Sequence, residues 1–369
     1  MLLFTPGPTP VPEVVRQAMA TPTIHHRTPE FEAIFASTRT KLLKLYGMDD
    51  VVMLAASGTG AMEAAVDNLT ATKILTINAG KFGERFGKIA KALGKGHVEL
   101  TYEWNTPATV EDVLRTLDAN PDIDAFAIQI SESAGGLRHP VEAIAKAIKA
   151  KNPSIMVIAD GITALGVEPI DATHIDALIS GSQKALMLPP GLAYIGLSNA
   201  AIEKIGKGKG YYFNLASEIK NQRQNTTAYT APTTLIIGLN AMLDQVEAMG
   251  WDAFYDATRR RGVATQAAMK ALGLAIYPKV SARSMTTVYG DETKAIRSLL
   301  KKEFEVDIAG GQDALNGKIF RINHMGLIGV NEAAWVVNAI ELAMDKLGLR
   351  PFDGAASTAF SRTYYDLKA

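Results

Sequence analysis

Residues 175–191 read IDALISGSQKALMLPPG, a stretch in which one lysine, Lys184, stands between an apolar run and a Pro-Pro-Gly turn. Residues 175–179 have the length and composition of a buried strand, which predicts Lys184 at or just past a strand end rather than on a solvated helix face. Most lysines are exposed, and a lysine near a core either extends its amine to solvent or takes part in chemistry. The rest of the chain decides between these two roles.

Short apolar runs alternate with helical segments along the first half of the chain. The runs are VVMLAA (51–56), KILTIN (73–78), HVELTY (97–102), AFAIQI (125–130) and SIMVIAD (154–160). Strands and helices in strict alternation predict an α/β fold, with helices on both faces of a mostly parallel sheet. LAYIGLS (192–198), soon after Lys184, is expected to add a further strand.

The length of 369 residues favours two domains. We predict an N-terminal arm over residues 1–15, because proline fixes φ and lacks an N–H, and TPGPTPVP (5–12) is therefore unsuited to a helix or a central strand. A neighbouring subunit is a candidate surface for this arm. A large sheet domain is predicted over residues 16–254. A smaller C-terminal α/β domain is predicted over residues 255–369, where SMTTVYG (284–290) and KIFRIN (318–323) alternate with helical segments.

Composition and charge argue against several classes of function. The 38 basic and 38 acidic residues balance, and without a basic run nothing suggests a nucleic acid or an anionic membrane as partner. Cysteine is absent, which removes disulfides, thiolate nucleophiles and cysteine-ligated metals, and we expect no metal site. The N-terminal stretch is a poor signal peptide, and no run approaches the roughly 18 apolar residues of a membrane span. A cytoplasmic protein is expected.

Loops that follow strands are the places to look for chemistry, because ligands of an open parallel sheet bind at the carboxyl ends of its strands. Residues 55–61, AASGTGA, form a small-residue turn before a helix, whose free N–H groups suit a phosphate. Many such turns are rich in glycine for steric reasons alone, so both explanations stay open. The turn matches neither the G-x-G-x-x-G dinucleotide pattern nor a P-loop.

Three further loops contribute Phe82, Asp160 and Lys184. Phe82 stands between glycines in NAGKFG (78–83) and either stacks on a planar ring or closes the core. Asp160 ends an apolar run and either binds a ligand or caps the next helix. Taken together, a phosphate cradle, a stacking aromatic, a carboxylate for a pyridinium N–H and an imine-forming lysine are what pyridoxal 5′-phosphate (PLP) requires of a protein.

The chain resembles the class V aminotransferases, which are fold-type I PLP enzymes. Within that class it is similar to the branch of alanine–glyoxylate, serine–glyoxylate and serine–pyruvate aminotransferases and the soluble hydrogenase small subunit. The motifs FTPGPTPVP, HHRTPEFEAIF, ASGTGAMEA, NAGKFGERF, ESAGG, ADGITALG, SGSQKALMLPPG and FRINHMG occur in family order. SGSQKAL…PPG is the most specific of them. The resemblance implies a large, mostly parallel sheet domain and a smaller C-terminal α/β domain.

The same resemblance implies a cofactor site, position by position. Lys184 is expected to form the imine with PLP, and Asp160 to pair with the pyridine nitrogen. Phe82 stands where relatives usually have tryptophan or another aromatic residue, and Ala134 departs from the more usual serine or threonine. The other implied cofactor contacts are Ser57, Gly58, Thr59 and Gln183 near the phosphate, Ser133 near the phenolic oxygen, Ile162 beneath the ring, and Thr230 from the partner subunit of a homodimer.

Implied substrate contacts are Arg321, Gly7 and Arg27. Arg321 is expected to hold the substrate α-carboxylate, although the residues alone favour a structural arginine in a buried ion pair. In the family, a His-Arg pair like that of His25, His26 and Arg27 approaches the site from the neighbouring subunit, and in phosphoserine aminotransferases it contributes to binding the substrate phosphate. For this chain, a substrate phosphate site and a solvated turn both stay open.

The resemblance leads us to expect a transaminase that moves the amino group of serine or alanine to glyoxylate or pyruvate. Phosphate recognition usually recruits several cations, and no second obvious arginine stands in the site loops. Phosphoserine with 2-oxoglutarate is therefore the second choice. A non-catalytic subunit associated with a hydrogenase and a kynureninase-like lyase remain alternatives. The cysteine desulfurases of class V need a loop cysteine, which is absent.

Overall fold

The computed structural model of the chain describes residues 1–367. Its strands are β1 (Leu2–Phe4), β2 (Asp50–Leu54), β3 (Lys73–Asn78), β4 (Gly96–Thr101), β5 (Ile123–Gln129), β6 (Ser131–Glu132), β7 (Leu137–Arg138), β8 (Met156–Asp160), β9 (Ala177–Gly181), β10 (Ala193–Leu197), β11 (Ala275–Ile276), β12 (Met285–Tyr289), β13 (Val306–Gly310) and β14 (Ile319–Asn323). Its helices are α1 (Glu13–Met19), α2 (Pro29–Tyr46), α3 (Gly58–Leu69), α4 (Lys81–Ala92), α5 (Val110–Ala119), α6 (Val141–Lys151), α7 (Asn199–Ile205), α8 (Leu215–Gln222), α9 (Thr233–Met249), α10 (Trp251–Ala271), α11 (Thr293–Glu303), α12 (Val330–Lys346) and α13 (Ala355–Asp366).

The larger sheet follows the order β2-β10-β9-β8-β5-β3-β4 in the described part of the chain. β10 runs antiparallel to both of its neighbours, and the other pairs are parallel. Alternate strand residues enter two different cores: Val51 and Met53 pack with α2, α5, α6 and α9, whereas Val52 and Leu54 pack with α3, α4, α7 and α8. Burial on both faces explains why these strands are continuous apolar runs in the sequence. The predicted α/β fold is confirmed.

The strands β2, β3, β8 and β9 run in one direction, so their carboxyl ends lie along a single edge of the sheet. The loops singled out in the sequence follow these four strands. The topology therefore gathers them on one side of the larger sheet.

The smaller sheet has the order β1-β13-β14-β12-β11 within residues 1–367. β1 pairs parallel with β13, and the remaining pairs are antiparallel. Its core includes Phe320, Val337 and Phe360, so α12 and α13 cover it. The sequence analysis found β12 and β14 but missed β13, a short run in which buried Val306 and Ile308 flank a partly exposed Asp307.

The predicted N-terminal arm differs from the structure at both of its ends. Residues 2–4 form β1 in the smaller sheet, and α1 begins at Glu13, whereas residues 5–12 form neither helix nor strand, as expected. The arm lies on its own chain, where the Thr9 hydroxyl donates to the Lys184 carbonyl over 2.7 Å. The predicted domain boundary at residue 254 falls inside α10, so the division into 16–254 and 255–369 stays a prediction.

None of the helices described in residues 1–367 combines the length and the apolar character that crossing a membrane would require.

Candidate active site

A cavity opens at the carboxyl edge of the larger sheet. All the predicted cofactor residues except Thr230 line it, together with three residues that the sequence analysis did not single out, Arg85, Ser131 and Thr163. The complete lining is Ser57, Gly58, Thr59, Phe82, Arg85, Ser131, Ser133, Asp160, Ile162, Thr163, Gln183 and Lys184. The four strand-end loops therefore meet at one place, as the topology requires.

The N-terminus of α3 forms one wall of this cavity. Ser57 is the N-cap residue, and its side chain makes no capping hydrogen bond, which leaves the hydroxyl available to a ligand. A Cβ added at Gly58 would lie 2.4 Å from Cδ1 of Ile162, so the close approach of Ile162 requires glycine there. The amides and the dipole of a helix N-terminus favour an anion, and this wall suits a phosphate.

Asp160 is the last residue of β8 and is only 5% exposed. Its Oδ1 accepts the N–H of Ile162 over 2.8 Å, at the start of a run of turns rather than of a regular helix. Burial raises the pKa of Asp160 to about 6, while that hydrogen bond and the charges of Arg85 and Lys184 oppose the rise. A cation or a ligand N–H group beside this carboxylate would offset the cost of burying its charge.

Lys184 lies three residues past the end of β9 and is half-buried, so the prediction of a strand-end lysine is confirmed. Its Nζ donates to the carbonyl of Pro6 in the N-terminal arm. Burial, together with the charge of Arg321, lowers the pKa of Lys184 to about 8, although the charge of Asp160 opposes this shift. A larger fraction of this amine is therefore neutral at pH 7 than of an exposed lysine, which is what a nucleophilic lysine needs.

Gly7 touches the same lysine. A Cβ at this position would lie 2.5 Å from Cδ of Lys184, and the backbone of Gly7 has a φ of +97°. Both observations require glycine here. The predicted substrate contact at Gly7 is thus next to Lys184.

Phe82 and Arg85 stand one turn apart at the start of α4. The guanidinium carbon of Arg85 is 4.8 Å from the ring centroid of Phe82, and its Nη1 donates to the Thr59 hydroxyl over 2.9 Å. Arg85 lies within the motif NAGKFGERF but was not predicted from the sequence as a site residue. The i, i+3 spacing from Phe82 on a helix was the signal that could have identified it.

Arg321 on β14 is 7% exposed and lies beside the cavity rather than in its lining. It donates to the Gly310 carbonyl over 2.6 and 3.1 Å and to the Ser133 carbonyl over 2.6 Å. Burial lowers the pKa of Arg321 to about 10. No ion pair of this guanidinium occurs within residues 1–367, so the structural ion pair that the residues alone favoured is not found.

Two other predicted contacts lie outside the cavity. Thr230 is exposed and lines a separate small cavity with Tyr212, Glu218 and Tyr229. Arg27 is also exposed, and its backbone N–H donates to Nδ1 of His25 over 3.2 Å. The described chain by itself does not bring either residue to Lys184.

The chemistry of the cavity fits PLP. A helix N-terminus suits its phosphate, the Asp160 carboxylate suits its pyridinium N–H, and Phe82 and Ile162 offer apolar surface to its ring. The buried Oε1 of Gln183 also lacks a hydrogen-bond partner among the described residues. A buried acceptor without a partner is costly, which is consistent with a site built for a polar ligand.

Comparisons with known proteins extend over nearly the whole chain. The aminotransferase class-V family matches residues 1–337. An uncharacterized aminotransferase of Helicobacter pylori is 53% identical over 369 residues, covering 100% of both chains. The soluble hydrogenase small subunit of a Synechococcus strain is 37% identical over 98% of this chain and 97% of its own. The serine–glyoxylate aminotransferase of Hyphomicrobium methylovorum is 31% identical over 98% and 94%, respectively.

Among solved structures, an aspartate aminotransferase of subgroup IV from Thermus thermophilus resembles the chain with a TM-score of 0.88 and 32% identity. The similarity covers 94% of this chain and 99% of that one. Fold and sequence therefore point to the same group of proteins.

Proposed function

Because the chain belongs to the class V aminotransferases, we propose that it moves the amino group of a small L-amino acid, serine or alanine, to glyoxylate or pyruvate. The family makes the protein a PLP-dependent aminotransferase. The proposal concerns the donor, the acceptor and the residues that act on them.

One observation carries the assignment of the site. Lys184, Asp160, Phe82 and the N-terminus of α3 come from four different strand ends, and they line one cavity. Each of these features has an ordinary structural explanation when taken alone. Their convergence supports a single ligand with a phosphate, a basic ring and an aldehyde.

PLP held in this cavity would supply an aldehyde for the amino group and an electron-withdrawing ring next to the substrate α-carbon. Lys184 holds the aldehyde end and carries the proton removed from the α-carbon, for which its lowered pKa suits it. Asp160 would hold the ring nitrogen in its protonated form. Arg321 binds the substrate carboxylate, which orients the α-hydrogen toward Lys184.

The cavity contains an arginine that the sequence did not lead us to expect. Arg85 lines it, although no second arginine was expected in the site loops. Arg85 bonds to Thr59 at the phosphate wall and lies over Phe82, so its contacts are on the cofactor side. Serine and alanine therefore remain the first choice.

Arg85 nevertheless supports a second candidate, a donor with an anionic side chain such as phosphoserine. A guanidinium that lines the cavity is a suitable partner for a phosphate or carboxylate. The aspartate aminotransferase of Thermus thermophilus, at 32% identity, adds aspartate to the donors worth testing.

We further propose that the working unit is a homodimer with shared sites. Thr230 would reach the cofactor phosphate of the partner subunit, and Arg27 would reach the partner's substrate. The exposure of both residues, away from their own cavity, supports this arrangement.

Single-turnover kinetics with L-serine, L-alanine, L-phosphoserine and L-aspartate, followed by the visible absorbance of the cofactor, test the proposed donor. We expect L-serine or L-alanine to have the highest kcat/KM, by about tenfold or more, since a mismatched polar group in a pocket costs on the order of 1–3 kcal/mol. Higher values for the anionic donors would replace this proposal with the second candidate. No turnover with any donor, together with copurification with a hydrogenase, would favour a non-catalytic subunit.

A further inference from the structure

Glu132 is a fully buried carboxylate behind the cavity wall. It belongs to β6, and its exposed fraction is 0%. Its Oε2 accepts the N–H groups of Phe82 over 3.1 Å and Gly83 over 2.8 Å, and its Oε1 accepts the N–H of Ala134 over 3.0 Å. Glu132 is the first residue of the motif ESAGG, and no role was predicted for it from the sequence.

These bonds replace a missing helix cap. The N-cap residue of α4 is Gly80, which has no side chain, so the first N–H groups of the helix would otherwise lack partners. Glu132 supplies the acceptor from another part of the chain. It therefore fixes the first turn of α4, which carries Phe82 at the cavity.

Glu132 also acts on the substrate side of the cavity. Its bond to Ala134 holds the loop that contains Ser133, and the Ser133 carbonyl accepts from Nη1 of Arg321 over 2.6 Å. The charge of Glu132 raises the pKa of Arg321 against the effect of burial, which places the two groups within electrostatic reach. One carboxylate thus connects the stacking aromatic and the substrate arginine.

We propose that Glu132 is a positioning residue for transamination, which holds Phe82 against the cofactor and Arg321 toward the substrate carboxylate. The inference rests on the proposed roles of Phe82 and Arg321. It does not depend on which amino acid is the donor.

Glu132→Gln is the informative substitution, because an amide keeps the size of the side chain but has only one acceptor oxygen. Its NH₂ group cannot accept, so either the N–H of Ala134 or those of Phe82 and Gly83 lose their partner. The buried N–H group that is left without an acceptor then costs its full desolvation free energy.

The small domain offers a matched control in Glu341. This carboxylate is also 0% exposed and accepts the N–H groups of Asp353, Ala355 and Ala356 at the start of α13. None of these residues lines the cavity. Glu341 also pairs with Arg350 over 3.0 Å, so Glu341→Gln makes the same carboxylate-to-amide change at a buried helix start remote from the site and additionally removes an ion pair.

The experiment compares Glu132→Gln with Glu341→Gln in the full-length protein. We expect Glu132→Gln to raise the Kd of the apoenzyme for PLP and the KM for L-alanine by about tenfold each, and to change the visible circular dichroism of the bound cofactor. Glu341→Gln should lower Tm and keep the Kd, the KM and the dichroism within about twofold of wild type. If Glu132→Gln also loses only Tm, Glu132 is a structural cap and the proposal is overturned.

Gly80→Ala is the substitution to use instead if the Glu132→Gln protein does not fold. A Cβ at Gly80 would lie 2.5 Å from Cδ of Glu132, so this change displaces the carboxylate without removing its charge. The same losses in cofactor affinity and dichroism are expected, and wild-type values would overturn the proposal. A wild-type protein inactive with both L-serine and L-alanine would contradict the proposed donor alone, because cofactor affinity and dichroism still report on Glu132.

Discussion

Two groups of proposed site residues differ in how the chain places them. Ser57, Asp160 and Lys184 lie at or just past the ends of strands of one sheet and line one cavity. Thr230 and Arg27 are exposed and lie away from that cavity. The first group is organised by the topology of a single chain, whereas the second is proposed to act across a subunit boundary. Variants of the two groups should therefore differ in size of effect and in their behaviour in mixed oligomers.

The largest effect is expected at Lys184, which belongs to the first group, called here the cavity-lining group. Lys184→Ala should lower the single-turnover rate by more than about 10⁴-fold, because the nucleophile and the proton carrier are lost together. PLP should still bind through the phosphate wall. Lys88 on α4, an exposed lysine paired with Glu84, provides the control, and Lys88→Ala should keep wild-type rates. Borohydride should fix the cofactor mass on the peptide of Lys184, and attachment elsewhere would contradict the assignment.

Asp160→Asn should have the next largest effect. The amide oxygen can still accept the N–H of Ile162, so the fold should persist, while α-proton removal slows by about 10²- to 10³-fold. The pKa of Asp160 in the protein without cofactor is raised to about 6 by burial, so the carboxylate is lost as pH falls through about 6. PLP affinity of the wild type should fall in that range.

Asp160→Asn distinguishes this loss of PLP affinity from the loss caused by protonation of the cofactor phosphate, whose second pKa is also about 6. Asp160→Asn should keep only the phosphate-dependent part of the pH profile in a PLP-binding titration between pH 5 and 8. Identical profiles for the two proteins would leave Asp160 as a backbone acceptor for Ile162.

The positions of the cavity-lining group were also easier to predict from the sequence than those of the second group. A strand run, a loop and a helix start are local patterns, and parallel topology brings their ends together whatever the details of packing. Arg85 and Glu132 were missed because their roles come from contacts between elements, such as the bonds from Glu132 to Phe82 and Gly83. Strand β1 was missed because a three-residue segment leaves little periodicity to detect, and β13 was missed because the partly exposed Asp307 interrupts its apolar run.

Thr230 is expected to matter less, and only in a dimer. Thr230→Ala should raise the Kd for PLP by about tenfold, because the loss of one hydrogen bond to a charged group usually weakens binding by about that factor. Mixing Lys184→Ala with Thr230→Ala subunits gives the sharper test. If Thr230 acts across the interface, one site of each mixed dimer has wild-type Lys184 and a wild-type Thr230, so activity at limiting PLP should rise above that of either parent. Unchanged activity on mixing would mean that Thr230 serves its own chain or none.

The smallest effect is expected at Arg27, and its size distinguishes the two candidate donors. Arg27 is exposed, so removing its side chain should not disturb the core, and Arg27→Ala should change kcat/KM for L-serine and L-alanine by less than about threefold. A substrate phosphate bound by Arg27 would make the outcome different, because a bidentate guanidinium bond to a dianion is among the strongest polar contacts. In that case the wild type should prefer L-phosphoserine, and Arg27→Ala should lose that donor by about a hundredfold while keeping the small ones. Arg27→Lys separates charge from geometry, since a lysine restores the charge without the planar pair of donors. A selective loss in both variants would move the proposed donor from serine or alanine to phosphoserine, whereas small and equal changes for all donors would leave Arg27 outside substrate recognition.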